Sequence, residues 1–152
     1  PDRSALLLHV FDVDDEVESW IAAGTPPICF ATGSIPVESP EATLTMISAA
    51  CAQLGERALL CAGGTDFSGV HIPDHVKVVG SVNYARVFAA SKAIVHHGGS
   101  GTTASSLRAG VPTLMLPAGL MWSVVIESPR IASGLASMMS LTGAGVISRP
   151  SK

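Results

Sequence analysis

The sequence predicts an α/β fold, a Rossmann-like parallel sheet with helices on both faces. Three observations carry that expectation. Short apolar runs alternate with longer segments of helical periodicity, the rhythm of βα units whose strands lie parallel. Gly, Ser and Thr follow several of the runs, as in Thr32-Gly33-Ser34, Gly63-Gly64-Thr65 and Gly98-Gly99-Ser100, and right-handed crossovers bring such strand ends to one shared edge. Finally, 47% hydrophobic against 14% charged residues in a chain of 152 suits one domain with a sizeable core and excludes disorder.

A formal net charge of −3, with no local Lys/Arg cluster, offers no basic field for nucleic acid. No apolar run is long enough to span a bilayer, and the N-terminus lacks a charged-then-apolar leader pattern, so neither a membrane span nor a secretory signal is expected. Cys29, Cys51 and Cys61 have no metal-ligand spacing and read as free buried thiols in a reducing compartment. A cytoplasmic protein follows as the expectation.

Pro1 to Ala23 opens with an apolar segment, Ala5 to Val10, and an acidic run of Asp12, Asp14, Asp15, Glu16 and Glu18. The run reads as a solvated stretch entering a helix that ends near Ala23-Gly24, so residues 1–24 form a linker and lead-in helix. Ile28 to Ala31 is the first strand, and Ser34 just beyond it is either a loop hydroxyl or a ligand contact, with its place after a strand end favouring contact. Ser39 caps the next helix, with Pro40 in its first position and Glu41 against the dipole. Leu44, Ile47, Cys51 and Leu54 form its apolar stripe, and Gly55 ends it.

Arg57 to Ala62 is the second strand, running into Gly63-Gly64-Thr65-Asp66, a tight turn rather than a binding loop. Val76 to Val79 is the third, followed by Gly80-Ser81-Val82-Asn83-Tyr84. Tyr84 to Ala90 is a short helix that turns Val87 and Phe88 inward. Ala93 to Val95 and Val111 to Leu116 are the fourth and fifth strands, the last closed by Pro117. Ile131, Leu135 and Met138 mark a later helix, weakened by Gly134 and ended by Thr142-Gly143-Ala144-Gly145. The main domain is thus placed at residues 25–148, with 149–152 a polar tail.

The chemistry is expected between the fourth and fifth strands, at His96-His97-Gly98-Gly99-Ser100-Gly101-Thr102-Thr103. A strand, a Gly-rich turn and a helix from Thr102 to Ala109 form an anion site, because free backbone N–H groups and the positive end of the dipole converge there. Glycines let the backbone approach a phosphate, and the Ser100, Thr102 and Thr103 hydroxyls add donors. The glycines lack dinucleotide-fingerprint spacing and no P-loop Lys is present. Taken alone, the turn is therefore equally a structural bend or a phosphate cradle. His96 and His97 point to opposite sides if the strand persists. His9, His71 and His75 are scattered without zinc-site spacing and are expected at the surface; no metal is expected.

With Arg108-Ala109-Gly110-Val111-Pro112 following it, the complete string resembles the donor-binding motif of the UDP-glycosyltransferase-like family (family 1 glycosyltransferases, GT-B fold). The likeness is to the bacterial antibiotic-type and sterol glucosyltransferase branches, which read His-His-Gly-Gly-(Ala/Ser)-Gly-Thr-Thr, a helix, then Ala-Gly-Val/Ile-Pro. It extends less densely from about Trp20 to Gly145. By this resemblance residues 25–148 are a nucleotide-sugar-binding domain, one half of a GT-B enzyme. His97 is then the catalytic residue, donating to the diphosphate, and His96 is structural. Gly98, Gly99, Ser100, Gly101 and Thr102 cradle the phosphates, with Ser34 beside them. The Val82 backbone meets the base edge, Ser81 standing where the plant branch has the Trp of Trp-Ala-Pro-Gln.

Glu127-Ser128-Pro129-Arg130-Ile131-Ala132 aligns with the family's Asp-Gln-Pro-x-Trp-Ala, so Glu127 and Ser128 would face the sugar hydroxyls, Ser128 without the amide's donor-acceptor pair. The Leu120-Met121-Trp122 insertion reads as core, partner contact or a membrane-touching loop. The implied activity moves a hexose from a UDP- or dTDP-sugar to a hydroxyl of a lipid, sterol or polyketide-like acceptor. It uses no cofactor beyond the nucleoside diphosphate sugar, which is the donor substrate. The implied partners are that nucleotide sugar and an N-terminal acceptor-binding domain, absent from this sequence, that carries the general base; a peripheral contact with the inner face of the membrane is compatible. The chain alone should bind donor and transfer little sugar. The alternative is a degenerate, non-catalytic nucleotide-binding module or truncated gene product, for which Glu127-Ser128 speaks.

Overall fold

The structure, a computed structural model, describes residues 15–32 and 39–115. Five strands, β1 (Ile28–Ala31), β2 (Ala58–Cys61), β3 (Val76–Val79), β4 (Ala93–His96) and β5 (Thr113–Met115), form one sheet in the order β3-β2-β1-β4-β5. All four pairings are parallel. Every residue of β1, β2 and β4 is buried, which explains why these strands read as unbroken apolar runs. The helices are α1 (15–22), α2 (Pro40–Leu54), α3 (Tyr84–Ala89) and α4 (Ser100–Ala109). The expected α/β, Rossmann-like fold is what forms.

From β1 the chain winds outward through β2 to β3, then returns to β4 beside β1 and winds the other way. Right-handed crossovers must then put the intervening helices on opposite faces. On one face, Leu44, Met46, Ile47, Ala50 and Cys51 of α2 pack on Ile28, Phe30, Leu60 and Val95. On the other, Val17 and Ile21 of α1 and Val87 and Phe88 of α3 pack on Cys29, Ala31, Leu59 and Ile94. Alternate residues of each strand serve alternate layers, as the pleat requires. Tyr84 stacks on Phe88 in the second layer, with ring centroids 4.6 Å apart.

The helix ends follow the local signals. Ser39 is extended and its Oγ accepts from Ala42 N–H, Pro40 opens α2, and Gly55 closes it at φ 65°. Asn83 caps α3 by accepting from Ala85 N–H at 3.1 Å. The cysteines are free and buried. Cys29 and Cys61 lie with sulfurs 3.7 Å apart; the hydrogen bond with Cys61, then burial, push the Cys29 thiol well above its usual range, and burial pushes Cys51 up to about 12.

Several bounds differ from expectation: β2 (Ala58–Cys61), β5 (Thr113–Met115) and α3 (Tyr84–Ala89) are shorter than expected. β4 runs one residue further, to His96, and α4 begins at Ser100 rather than Thr102. The acidic residues before the sheet are also more engaged than a solvated stretch implies. Glu16 pairs with Lys77 at 2.5 Å and Glu18 with Arg86 at 2.5 Å, tying α1 to β3 and α3; the Lys77 hydrogen bond lowers the Glu16 carboxyl.

Arg57 is the tie that the sequence does not announce. Its guanidinium donates to the carbonyls of Trp20, Ile21 and Thr25 and lies 4.2 Å over the Trp20 ring. It thus satisfies the orphan carbonyls at the end of α1. Gly24 leaves room for it, since a Cβ there would sit 2.8 Å from the guanidinium carbon. Arg57→Ala should therefore lower unfolding stability by about 2 kcal/mol. Arg57→Lys should recover little, because a single ammonium cannot span three carbonyls and stack as well. Urea denaturation followed by circular dichroism measures both.

Candidate functional site

The reversal of strand order falls between β1 and β4, where Ala31 is in register with His96. In open α/β sheets the crevice outside such strand ends is where ligands bind. One lip begins at Thr32, which is buried and donates to Cys61 O at 3.1 Å. The other is the turn His97-Gly98-Gly99 leading into α4.

His96 is fully buried and both ring nitrogens have partners. Gly98 N–H donates to Nδ1 at 3.0 Å, and Nε2 lies 3.4 Å from Ser106 Oγ. Burial, then the neighbouring His97, lower its pKa below the ordinary 6.5. Gly98 has φ 96°, a region that a Cβ disfavours, and a Cβ there would also meet Met115 Sδ at 2.9 Å. Gly99 then caps α4 without any side-chain hydrogen bond. Helix geometry leaves the amides of Ser100, Gly101 and Thr102 without intrahelical partners, and the first bond within reach is Thr103 N–H to Gly99 O at 2.8 Å. Starting the helix at Ser100 costs little, because small residues with weak propensity are tolerated in a first turn that makes no ladder bonds.

His97 is half-buried and lies just beyond the end of β4. Its ring lies against Gly99, where a Cβ would come within 2.7 Å of Nε2. Its Nδ1 is buried and, with Thr43 Oγ1, is one of two such side-chain atoms without a hydrogen-bond partner among the described residues. Buried polar atoms are usually paired. An imidazole beside an uncapped helix N-terminus can receive an anion through directed N–H donors and a favourable dipole.

The structure thus gathers His97, Gly98, Gly99, Ser100, Gly101 and Thr102 into one turn. Ser100 and Gly101 are exposed and Thr102 is buried. Val82 lies in the loop between β3 and α3, half-buried and packed on the second apolar layer, while Ser81 is exposed. Gly63-Gly64 form a turn closed by Thr65 N–H to Ala62 O at 3.1 Å. Ser34, Glu127, Ser128, the Leu120-Met121-Trp122 insertion, the later helix and tail, and His9 lie outside the described residues. Among the described residues, no group of three or more His, Cys, Asp or Glu is placed to hold a metal ion, and no helix is long and apolar enough to cross a membrane.

His71 is exposed as expected, but His75 is half-buried and its Nε2 meets Ser48 O at 3.0 Å, fastening β3's lead-in to α2. A groove of about 380 Å³ lined by Leu44, Ser48, Val70 and His71 lies along α2, away from the turn. Ser106 and Met115, which support the turn from below, escape a reading of the sequence; no local pattern marks a serine ten residues from His96 as its partner.

A doubly wound parallel sheet whose switch-point helix starts uncapped from a His-Gly-Gly turn has the form of a C-terminal domain of the GT-B glycosyltransferase class. The chain belongs to the family of erythromycin biosynthesis protein CIII-like C-terminal domains, whose family model matches residues 59–151. It is 53% identical over 126 residues to the uncharacterized glycosyltransferase Rv1524 of Mycobacterium tuberculosis, covering 81% of this chain and 30% of that protein. It is 33% identical over 105 residues to the sterol 3-beta-glucosyltransferase UGT80B1 of Arabidopsis thaliana, covering 68% and 17%. The chain therefore spans under a third of the length of these curated relatives.

Among solved structures, the glycosyltransferase SnogD from Streptomyces nogalater is 30% identical with a TM-score of 0.52, over 68% of this chain and 28% of that one. UGT71G1 of Medicago truncatula, complexed with UDP-glucose, shares the fold at 19% identity and a TM-score of 0.63, over 83% and 35%.

Two expectations follow from the turn. Gly98→Ala should destabilise the chain by about 1–2 kcal/mol through its backbone conformation. Adding Met115→Ala, which clears the side-chain clash, should not restore that loss in chemical denaturation. Because His96 titrates lower folded than unfolded, the unfolded chain binds its proton first. Stability should accordingly fall as pH drops through about 6.5, and His96→Asn should flatten that part of the melting-temperature profile.

Proposed function

We propose that this chain holds the nucleotide-sugar donor of a glycosyltransferase. The whole enzyme moves a hexose from a UDP- or dTDP-sugar to a hydroxyl of a lipid, sterol or polyketide-like acceptor. One observation carries the reading: the first turn of α4 has no side-chain cap and the His97 ring rests against it at Gly99. That gap in hydrogen bonding suits a diphosphate. In this reading the amides of Ser100, Gly101 and Thr102 take phosphate oxygens, and Gly98 and Gly99 admit them to the backbone. Ser34 lies beside the phosphates, the Val82 backbone meets the base, and Glu127 and Ser128 face the sugar.

In the transfer step the bond from the anomeric carbon to the diphosphate oxygen breaks as the bond to the acceptor oxygen forms. The acceptor's proton passes to a general base. Negative charge grows on the departing diphosphate, where the α4 dipole and a His97 N–H donor stabilise it more than in the ground state. The base must lie within hydrogen-bond reach of the acceptor hydroxyl; we assign it, with the acceptor pocket, to an N-terminal domain. A chain spanning under a third of its relatives supports that division, and the chain alone should bind donor and transfer little sugar.

Likeness to a sterol 3-beta-glucosyltransferase supports the acceptor class, and a complex of the same fold with UDP-glucose supports the donor class. Free buried thiols fit a reducing, cytoplasmic setting, and a lipid acceptor would bring the enzyme to the inner face of the membrane.

Calorimetric titration with UDP and with dTDP tests the reading. The chain should bind at least one of them, and His97→Ala should weaken that binding about tenfold or more, as expected for loss of a charge-assisted hydrogen bond. Equal affinities would remove His97 from the site and favour a module whose transfer function has decayed.

A further inference from the structure

We propose that His96 is a positioning residue of the diphosphate site: its imidazole holds the Gly98 turn in the conformation that presents His97 and the first-turn amides of α4. The inference rests on the donor-site reading and adds a residue to it. His96 is 0% exposed at the end of β4, so it acts through its neighbours rather than by touching a ligand.

The directions of its hydrogen bonds are determined. Gly98 N–H can only donate, and it does so to Nδ1 at 3.0 Å; the neutral ring therefore carries its proton on Nε2. Nε2–H points to Ser106 Oγ at 3.4 Å, and that hydroxyl donates to Thr103 O at 2.9 Å. Thr103 returns two bonds to Gly99 O, from its amide and its hydroxyl, each 2.8 Å. The relay starts at a strand end, enters α4 and comes back to the turn, with Met115 packed against Gly98 at its rim. Glycine moves freely between backbone basins, so the bond to Nδ1 is what holds Gly98 at its φ of 96°.

A proton on Nδ1 removes the acceptor and sets two donors face to face. Burial and the neighbouring His97 keep the ring neutral below its ordinary 6.5, so the lock holds at neutral pH and fails on acidification. His97 is the titratable group acting on His96. The ring's neighbours by register or bonding on β1, β5 and α4 (Ala31, Met115 and Ser106) carry no charge.

The test titrates UDP into the full chain by calorimetry between about pH 7.5 and 5.5, the range in which histidines change charge. His96→Asn and His96→Leu are run alongside, with thermal melts to establish folding. Asn offers an acceptor oxygen near the Nδ1 position and does not titrate. At the upper pH, His96→Leu should bind about tenfold more weakly, and His96→Asn should recover most of that loss. On acidification the wild type should lose about tenfold more affinity than His96→Asn; protonation of UDP itself is common to both and cancels in the comparison. Equal pH slopes, or wild-type affinity in folded His96→Leu, would overturn the proposal; if His96→Leu does not fold, the two slopes decide it.

Amide exchange at Gly98, read by NMR without nucleotide, separates the two layers of inference. A Gly98 amide protected in the wild type and His96→Asn, with no UDP bound by either, discards the donor-site reading and keeps the lock. A freely exchanging Gly98 amide in the wild type overturns the lock whatever UDP does.

Discussion

The constraint from which the rest follows is the removal of water from both faces of the central strands. Ile28, Cys29, Ala31, Leu59, Leu60, Ile94 and Val95 are all 0% exposed, so each strand needs a helical layer above and below. Parallel pairing permits this because each connection carries a helix across a face. With right-handed crossovers, covering both faces forces the winding to reverse once. The reversal opens a crevice at the ends of β1 and β4, and the glycine turn sits there. The location of the candidate site is thus a consequence of core packing rather than an independent feature.

Within that frame, the turn after β4 departs from the rule followed by the starts of α2 and α3. α2 and α3 use Ser39 and Asn83 to satisfy an early amide, whereas α4 uses Gly99 and satisfies none with a side chain. A capped start is worth about 1 kcal/mol. Forgoing it, while burying an unpartnered imidazole nitrogen beside the same turn, concentrates local instability at one spot. Such departures from local consistency cluster at sites that are completed by something else.

How much of this could be read from residues alone depended on the range of the interactions. The caps, stripe and stop of α2 were legible because Ser39, Pro40, Leu44, Ile47 and Gly55 interact within a turn or two of one another. The glycine turn and the pair of histidines were legible as chemistry, and the whole string as a family likeness. The start of α4 was not, because Ser100 and Gly101 are poor helix formers whose placement is decided by the turn before them. Nor was the clamp of Arg57 on the end of α1, or the approach of Ser106 to His96. The Arg57 contacts join residues far apart in the chain, and the Ser106 contact spans the turn into α4, so neither follows a local periodicity. Glu16 and Glu18 likewise looked like solvated charge until Lys77 and Arg86 were placed opposite them.

The sulfur atoms have a consequence of another kind. Cys29 and Cys61 belong to neighbouring strands in the middle of the sheet and Cys51 to the helix above it, all hidden from solvent. A thiolate, not a thiol, attacks an alkylating reagent; here all three thiols are hidden, and Cys29 and Cys51 also resist ionisation. Modification of Cys29 and Cys61 must wait until the sheet itself parts, so the chain carries an intrinsic clock for its own opening. One loop fluctuating will not start it; the separation of β1 from β2 will.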